Sequence, residues 1–186
     1  ARPVEARGAD SRPEYYDFDL FGARALAADL RDRPLATLSC TVFDTETTGL
    51  DPSDGDEIIS IAAVRIVHGK LLPDDTFDQL VDPARPIRAA STAVHGITNE
   101  MVRGRPGIAE VLPQFHRFVE GTVLVAHNAA FDMRFLQMKE GATGLRFDQP
   151  VLDTLLLSAV LHPNHETHKL DAIAERFGVP LLDRHD

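Results

Sequence analysis

VFDTETTGL, residues 42–50, is an apolar run that ends in two acids. With LSCT before it, the stretch 38–46 reads as a buried strand. Asp44 and Glu46 lie two residues apart, so a strand turns both side chains to one face. Two carboxylates held that close repel and raise each other's pKa unless a cation sits between them. Hard oxygen ligands of this kind suit Mg2+ or Mn2+. Thr47, Thr48 and Gly49 follow, which predicts a tight turn with room for a ligand against the backbone. An isolated D-x-E is common at solvated strand ends, whereas the whole string FDTETTGL is far more specific.

Outward from this strand, EIISIAAVRIV (57–67) reads as a second strand, HGK (68–70) as a turn and Thr76–Val81 as a third strand. The three make an antiparallel run. IAEVLPQFHRFVE (108–120) is helical, with Pro113 expected to kink or shorten it. VLVAH (123–127) is a short buried strand. NAAFDMRFLQMKEG (128–141) is an amphipathic helix, with Asn128 as its cap, Phe131, Phe135 and Met138 on one face and Gly141 as its stop. A strand near Pro150–Leu152 leads into DTLLLSAVL (153–161), where Asp153 reads as the cap. HKLDAIAERFG (168–178) is a further helix stopped by Gly178. Antiparallel strands followed by alternating strand and helix predict an α/β fold with a mixed sheet.

Residues 1–36 read as an arm ahead of a domain spanning 37–186. The arm begins rich in Arg, Ala, Pro and acids. YYDFDLF (15–21) is apolar enough to dock, and GARALAADLRDR (22–33) has the spacing of a short helix ended by Pro34. The simplest role for this arm is packing on the domain edge.

The 186 residues and 44% hydrophobic content suit one domain with a real core. No run approaches the roughly 18 apolar residues of a membrane span, so no membrane partner is expected. The first residues hold no secretory h-region. A single cysteine, Cys40, suits a reducing cytoplasm and is expected to be buried and inert. The net charge of −10 is the wrong sign for a broad basic nucleic-acid surface. It leaves room for a small site that gathers cations and meets a strand end.

A second cluster is VAHNAAFDMRFL (125–136), where a strand runs into a helix with His127 and Asn128 at the junction. Asp132 lies within the first turns, where the helix dipole favours a carboxylate. Phe131 and Phe135 read as core. Other polar stretches have plainer readings. HPNHETH (162–168) has histidines three apart, but no cysteine stands near it and it reads as a loop rather than a zinc site. His68 and His116 read as surface or packing residues, Asp171 as packing support or an exposed helix face, and DPSDGDE (51–57) as a solvated loop.

FDTETTGL, VHGIT (94–98), AHNAAFD (126–132) and RH (184–185) occur in this order. Together they resemble the successive motifs of the DEDDh 3′→5′ exonuclease family, which includes the proofreading epsilon subunits of bacterial DNA polymerase III. The resemblance runs from about Leu38 to Asp186. It implies an RNase H-like fold with a mixed five-stranded sheet flanked by helices. It also implies metal-binding roles for Asp44, Glu46 and Asp132, and a general-base role for His185. Two divalent cations, Mg2+ or Mn2+, would stand roughly 4 Å apart. Thr47, Gly49 and Leu50 match positions that hold the terminal nucleotide, and His95 and Asn128 match positions beside the scissile end. The implied partners are 3′ ends of single-stranded DNA or RNA, DNA favoured, and a DNA polymerase subunit.

The family's fourth acid falls five residues after the base, past Asp186: either a C-terminal helix continues beyond this sequence, which is the expectation, or the chain lacks this ligand and metal binding and activity would be weak or absent. Asp186 itself, a neighbour of His185, would point about 100° away on a helix. Two other readings compete. A catalytically silent module of the same fold would bind a polymerase or another protein. An aspartyl-nucleophile phosphatase also has an acid two places after its Asp, but usually a second Asp where this chain has Glu46, and it leaves AHNAAFD and RH unexplained.

Overall fold

The computed structural model describes residues 12–15 and 32–180. Within them a five-stranded sheet is built from β1 (Ser39–Thr47), β2 (Ile58–Val67), β3 (Lys70–Leu80), β4 (Val123–Ala126) and β5 (Val151–Asp153), in the spatial order β3-β2-β1-β4-β5. β1 pairs antiparallel with β2 and parallel with β4, and β4 pairs parallel with β5. The mixed sheet expected from the sequence is therefore present. The helices are α1 (Ala89–His95), α2 (Asn99–Val102), α3 (Ile108–Phe118), α4 (Ala129–Thr143), α5 (Thr154–Leu161) and α6 (Leu170–Phe177).

Alternation along β1 decides what each face does. Thr41, Phe43, Thr45 and Thr47 are all buried, and Phe43 joins the main core with Phe115, Phe131, Phe135 and Leu136 from α3 and α4. Cys40 and Val42 turn the other way, into a smaller cluster with Leu38, Val123 and Val125. Asp44 and Glu46 continue that second face. The parallel pairing with β4 stops at Val42–Val125, so on that side the acids stand beyond the last paired residue, at the sheet's rim, while β2 still pairs with both.

Several elements depart from the sequence reading. β3 starts at Lys70, six residues before the expected Thr76. Pro73 and two aspartates disguise it, yet it is an edge strand, and the register slips between Val64–Thr76 and Arg65–Leu72. Pro73 falls in that bulge, where no ladder hydrogen bond is required of it. The turn before it has His68 and Gly69 both at positive φ, the geometry that joins two strands with the right twist. α3 runs through Pro113, held by the buried Val111, Leu112 and Phe115.

α1 and α2 were not expected. Val102 of α2 packs with Ile59, Ile87 and Ile97 in a third apolar cluster. α4 continues past Gly141 to Thr143, and Gly144, in the left-handed conformation, ends it. Met138 does not share the buried face of Phe131 and Phe135; it is 51% exposed. The predicted helix 22–33 lies outside the described residues except for Asp32 and Arg33. Among the described residues no helix is long and apolar enough to cross a membrane.

Candidate active site

The end of β1 and the start of α4 converge. Thr45 donates from its backbone N–H (3.0 Å) and its hydroxyl (2.6 Å) to Oδ1 of Asp132. Asp132 is fully buried, and its Oδ2 has no hydrogen-bond partner among the described residues. A buried, unpaired carboxylate oxygen is costly and signals a missing ligand. Burial pushes the Asp132 carboxyl up into the neutral range; the charge of Asp44 adds to this, and Arg12 and Thr45 oppose it. Glu46 is raised to about 7, chiefly by burial, with Arg12 pulling down and Asp44 pushing up. Two acids that resist ionising, Asp132 and Glu46, are what a cation placed beside them would relieve.

A cation is indeed among them. The Arg12 guanidinium lies 2.7 Å from Asp44 Oδ1, 3.1 Å from Glu46 Oε2 and 3.7 Å from Asp132 Oδ1. It also donates to the Thr45 carbonyl and stands over the Phe131 ring, 4.7 Å from its centroid. Among the described residues, no group of three His, Cys, Asp or Glu is closed around a single point; the three acids are spread around the guanidinium instead.

Beside them, Thr47, Gly49, Leu50 and His95 line one cleft with Glu46, Arg88 and Ser91, holding about 120 Å³. The sequence reading grouped the first three and set His95 with Asn128; the fold brings His95 to the first three. Asn128 does not line this cleft. His95 ends α1, and its Nδ1 accepts the Ile97 N–H at 3.1 Å. Behind the lining residues Gly49 and Arg88 lies a residue the sequence reading missed. Asp56, expected in a solvated loop, is 1% exposed. It accepts from the Thr48 hydroxyl and the Asp51 N–H, both at 3.1 Å, and pairs with Arg88 at 3.2 Å. Asp56 thereby ties the turn after β1 to the residue preceding α1. Ser91 adds a bond to the Thr48 carbonyl at 2.9 Å.

Asn128 differs from its expected role. It has φ 60° and ψ 46°, and its side chain makes no capping bond to α4. Asn is one of the few residues that tolerate this left-handed conformation. Asp153 supplies the cap instead, accepting from Asn128 N at 3.0 Å and Ala129 N at 2.8 Å. The same carboxylate caps α5 through Leu155 N, as expected. The Asn128 carboxamide is thereby turned to Pro13 and Tyr15.

The remaining polar stretches carry little. His162 and His165 stack edge to face, while His168 is buried on the Ser158 hydroxyl at 2.9 Å, so the three histidines do not converge. Cys40 is buried, as expected. Asp171 is exposed on α6. His185, the candidate base, lies outside the described residues.

Comparison with known proteins agrees with this geometry. The profile of the family described as Exonuclease matches residues 41–186. A DNA polymerase III subunit epsilon-like protein of Rhodobacter capsulatus is 57% identical over 91% of this chain and 24% of its own length. A PolC-type DNA polymerase III of Caldanaerobacter subterraneus subsp. tengcongensis is 48% identical over 77% of this chain and 10% of its own. The chain thus spans at most a quarter of these relatives. Among solved structures, Exonuclease X with 5′-overhanging duplex DNA superposes with a TM-score of 0.62 at 30% identity, covering 76% of this chain and 75% of that one. The E. coli exonuclease I complex with single-stranded DNA shares the fold with a TM-score of 0.67 at 18% identity, over 80% of this chain and 37% of that one. The five-stranded mixed sheet, the paired acids at its rim and the family match over most of the chain make this polypeptide a member of the exonuclease family, with an RNase H-like domain.

Proposed function

We propose that the domain is a metal-dependent 3′→5′ exonuclease that hydrolyses nucleic acid, DNA in preference, to nucleoside 5′-monophosphates. The observation that carries the reading is the buried Oδ2 of Asp132, without a hydrogen-bond partner among the described residues, in one cluster with Asp44 and Glu46 around Arg12. That donor set is all hard oxygen and fits Mg2+ or Mn2+. Asp44, Glu46 and Asp132 would hold the metal. When bound, two divalent cations supply an activated water and neutralise charge on the departing 3′ oxygen.

The chain's own residues do the rest. Thr45 fixes Asp132 by two hydrogen bonds, so that Oδ2 is the oxygen left to bind. The cleft formed by Thr47, Gly49, Leu50 and His95 takes the terminal nucleotide. His185 accepts the proton of the attacking water as its oxygen adds to phosphorus and the bond to the 3′ oxygen breaks. Asn128 lies beside the scissile end. The preference for DNA is supported by the relative at 30% identity, which was captured with duplex DNA. The names of the sequence relatives support association with a DNA polymerase subunit. The single buried cysteine fits a cytoplasmic setting.

The test is a 5′-labelled single-stranded oligonucleotide incubated with the polypeptide in the presence and absence of Mn2+, beside an Asp44→Ala control. A metal-dependent ladder shortening from the 3′ end and absent in the control is expected. No shortening of either DNA or RNA would turn the assignment to a silent protein-binding module.

A further inference from the structure

Residues 12–15 lie on the candidate site in a specific way. Arg12 reaches all three acids and the Thr45 carbonyl, and stacks on Phe131. The next residues are held by one side chain: Asn128 donates from Nδ2 to the Pro13 carbonyl at 2.9 Å and accepts the Tyr15 N–H on Oδ1 at 2.8 Å. A carboxamide that reads a carbonyl and an N–H two residues apart recognises extended peptide backbone, whatever its side chains. Tyr15 then packs against the main core cluster. Charge, stacking and backbone pairing together make this a built contact rather than a passing one.

We infer that Arg12–Tyr15 is a built-in peptide ligand of the site, which holds the acids together without metal and competes with divalent cations and a strand end. The inference rests on the proposed metal-binding role of these acids. Its physical basis is direct. The guanidinium and a divalent cation claim the same oxygens, Asp44 Oδ1 above all, and repel each other across them. A guanidinium is cationic at any ordinary pH, so the hold of Arg12 depends on the acids it touches. Asn128, expected beside the scissile end, is occupied by the arm's backbone instead. Cation binding therefore displaces Arg12 and frees Asn128 for substrate.

The test titrates MnCl2 calorimetrically into the unmodified chain and its Arg12→Gln variant. Hydrogen exchange at the Tyr15 amide is followed in the unmodified chain with and without Mn2+. Mn2+ is expected to bind Arg12→Gln about tenfold more tightly, the effect of removing one charge-assisted contact net of solvation. It is also expected to speed exchange at Tyr15, and this second measurement needs no variant. Equal affinities with unchanged Tyr15 exchange would overturn the inference while leaving the metal site intact. Mn2+ binding to neither protein would overturn both this inference and the proposed function.

Discussion

The carboxylate of Asp153 accepts the backbone N–H of Asn128 at 3.0 Å, and this bond holds a left-handed residue at the mouth of the site. Asp153 also takes the N–H groups of Ala129 and Leu155, both at 2.8 Å. One buried side chain thus starts two helices. Its removal leaves buried N–H groups unpaired, and Asp153→Ala is expected to lower stability by about 3 kcal/mol in urea unfolding. Asp153→Asn, which keeps one acceptor oxygen, is expected to lose less. If both variants unfold at the wild-type midpoint, Asp153 is not what fixes Asn128.

Gly49 owes its identity to Asp56 rather than to backbone conformation. A Cβ placed on Gly49 would meet Asp56 Oδ2 at 2.3 Å. Gly49→Ala therefore pushes the turn off that carboxylate, at an expected cost of about 1–3 kcal/mol, typical of forced overpacking. On the proposed function, the cleft should widen with it and raise KM more than it lowers kcat. Asp56→Ala makes space for the added methyl, so the double variant is expected to lose less than the sum of the two single losses. Strict additivity in thermal unfolding would show that the two positions do not press on each other.

Thr45 acts on Asp132 from behind. Its hydroxyl bond of 2.6 Å is the shorter of two that orient the carboxylate. Thr45→Val keeps the shape and the backbone bond but removes the hydroxyl. On the proposed function, affinity for Mn2+ is expected to fall about ten- to a hundredfold, as when an outer support of a metal ligand is lost. Calorimetric titration measures this directly, and an unchanged affinity would reduce Thr45 to a packing residue.

The elements with a clean period were legible in the sequence. β1 and β2 alternate or run apolar, and α4 shows its phenylalanines, so their place in the sheet and on its face followed. Asp44 and Glu46 fell on one face because a strand's period admits no other outcome. The supports were not legible. DPSDGDE has four acids, and only the fold singles out Asp56 for burial against Thr48 and Arg88. Short helices such as α1 and α2 carry too few residues for a period to register. Arg12 sits in a charged, proline-containing arm thirty-two residues from Asp44, a separation that no local pattern spans.

His127 gives the fold a pH dependence of definite sign. It follows β4, and its Nδ1 lies 3.0 Å from the Thr154 hydroxyl oxygen. That hydroxyl is directed at the Ala126 carbonyl at 3.4 Å, so the arrangement suits a neutral ring with its proton on Nδ1. Burial lowers the His127 pKa below the ordinary 6.5, although the charges of Asp153, Glu14, Asp44 and Asp171 act to raise it. The unfolded chain therefore takes up this proton at higher pH than the folded one. Stability from this residue is complete above pH 6.5 and declines as the pH falls through it. The expected NMR titration of the His127 ring has its midpoint below 6.5. Urea unfolding at about pH 7.5, 6.5 and 5.5 checks the consequence as a difference: His127→Gln, which no longer titrates, should gain stability relative to the unmodified chain between the lower two values. The opposite contribution of Asp132 and Glu46, whose raised pKa values favour the folded state as pH falls, is common to both proteins and cancels. A midpoint above 6.5 would mean that the four carboxylates outweigh burial, and the sign of the pH dependence would reverse.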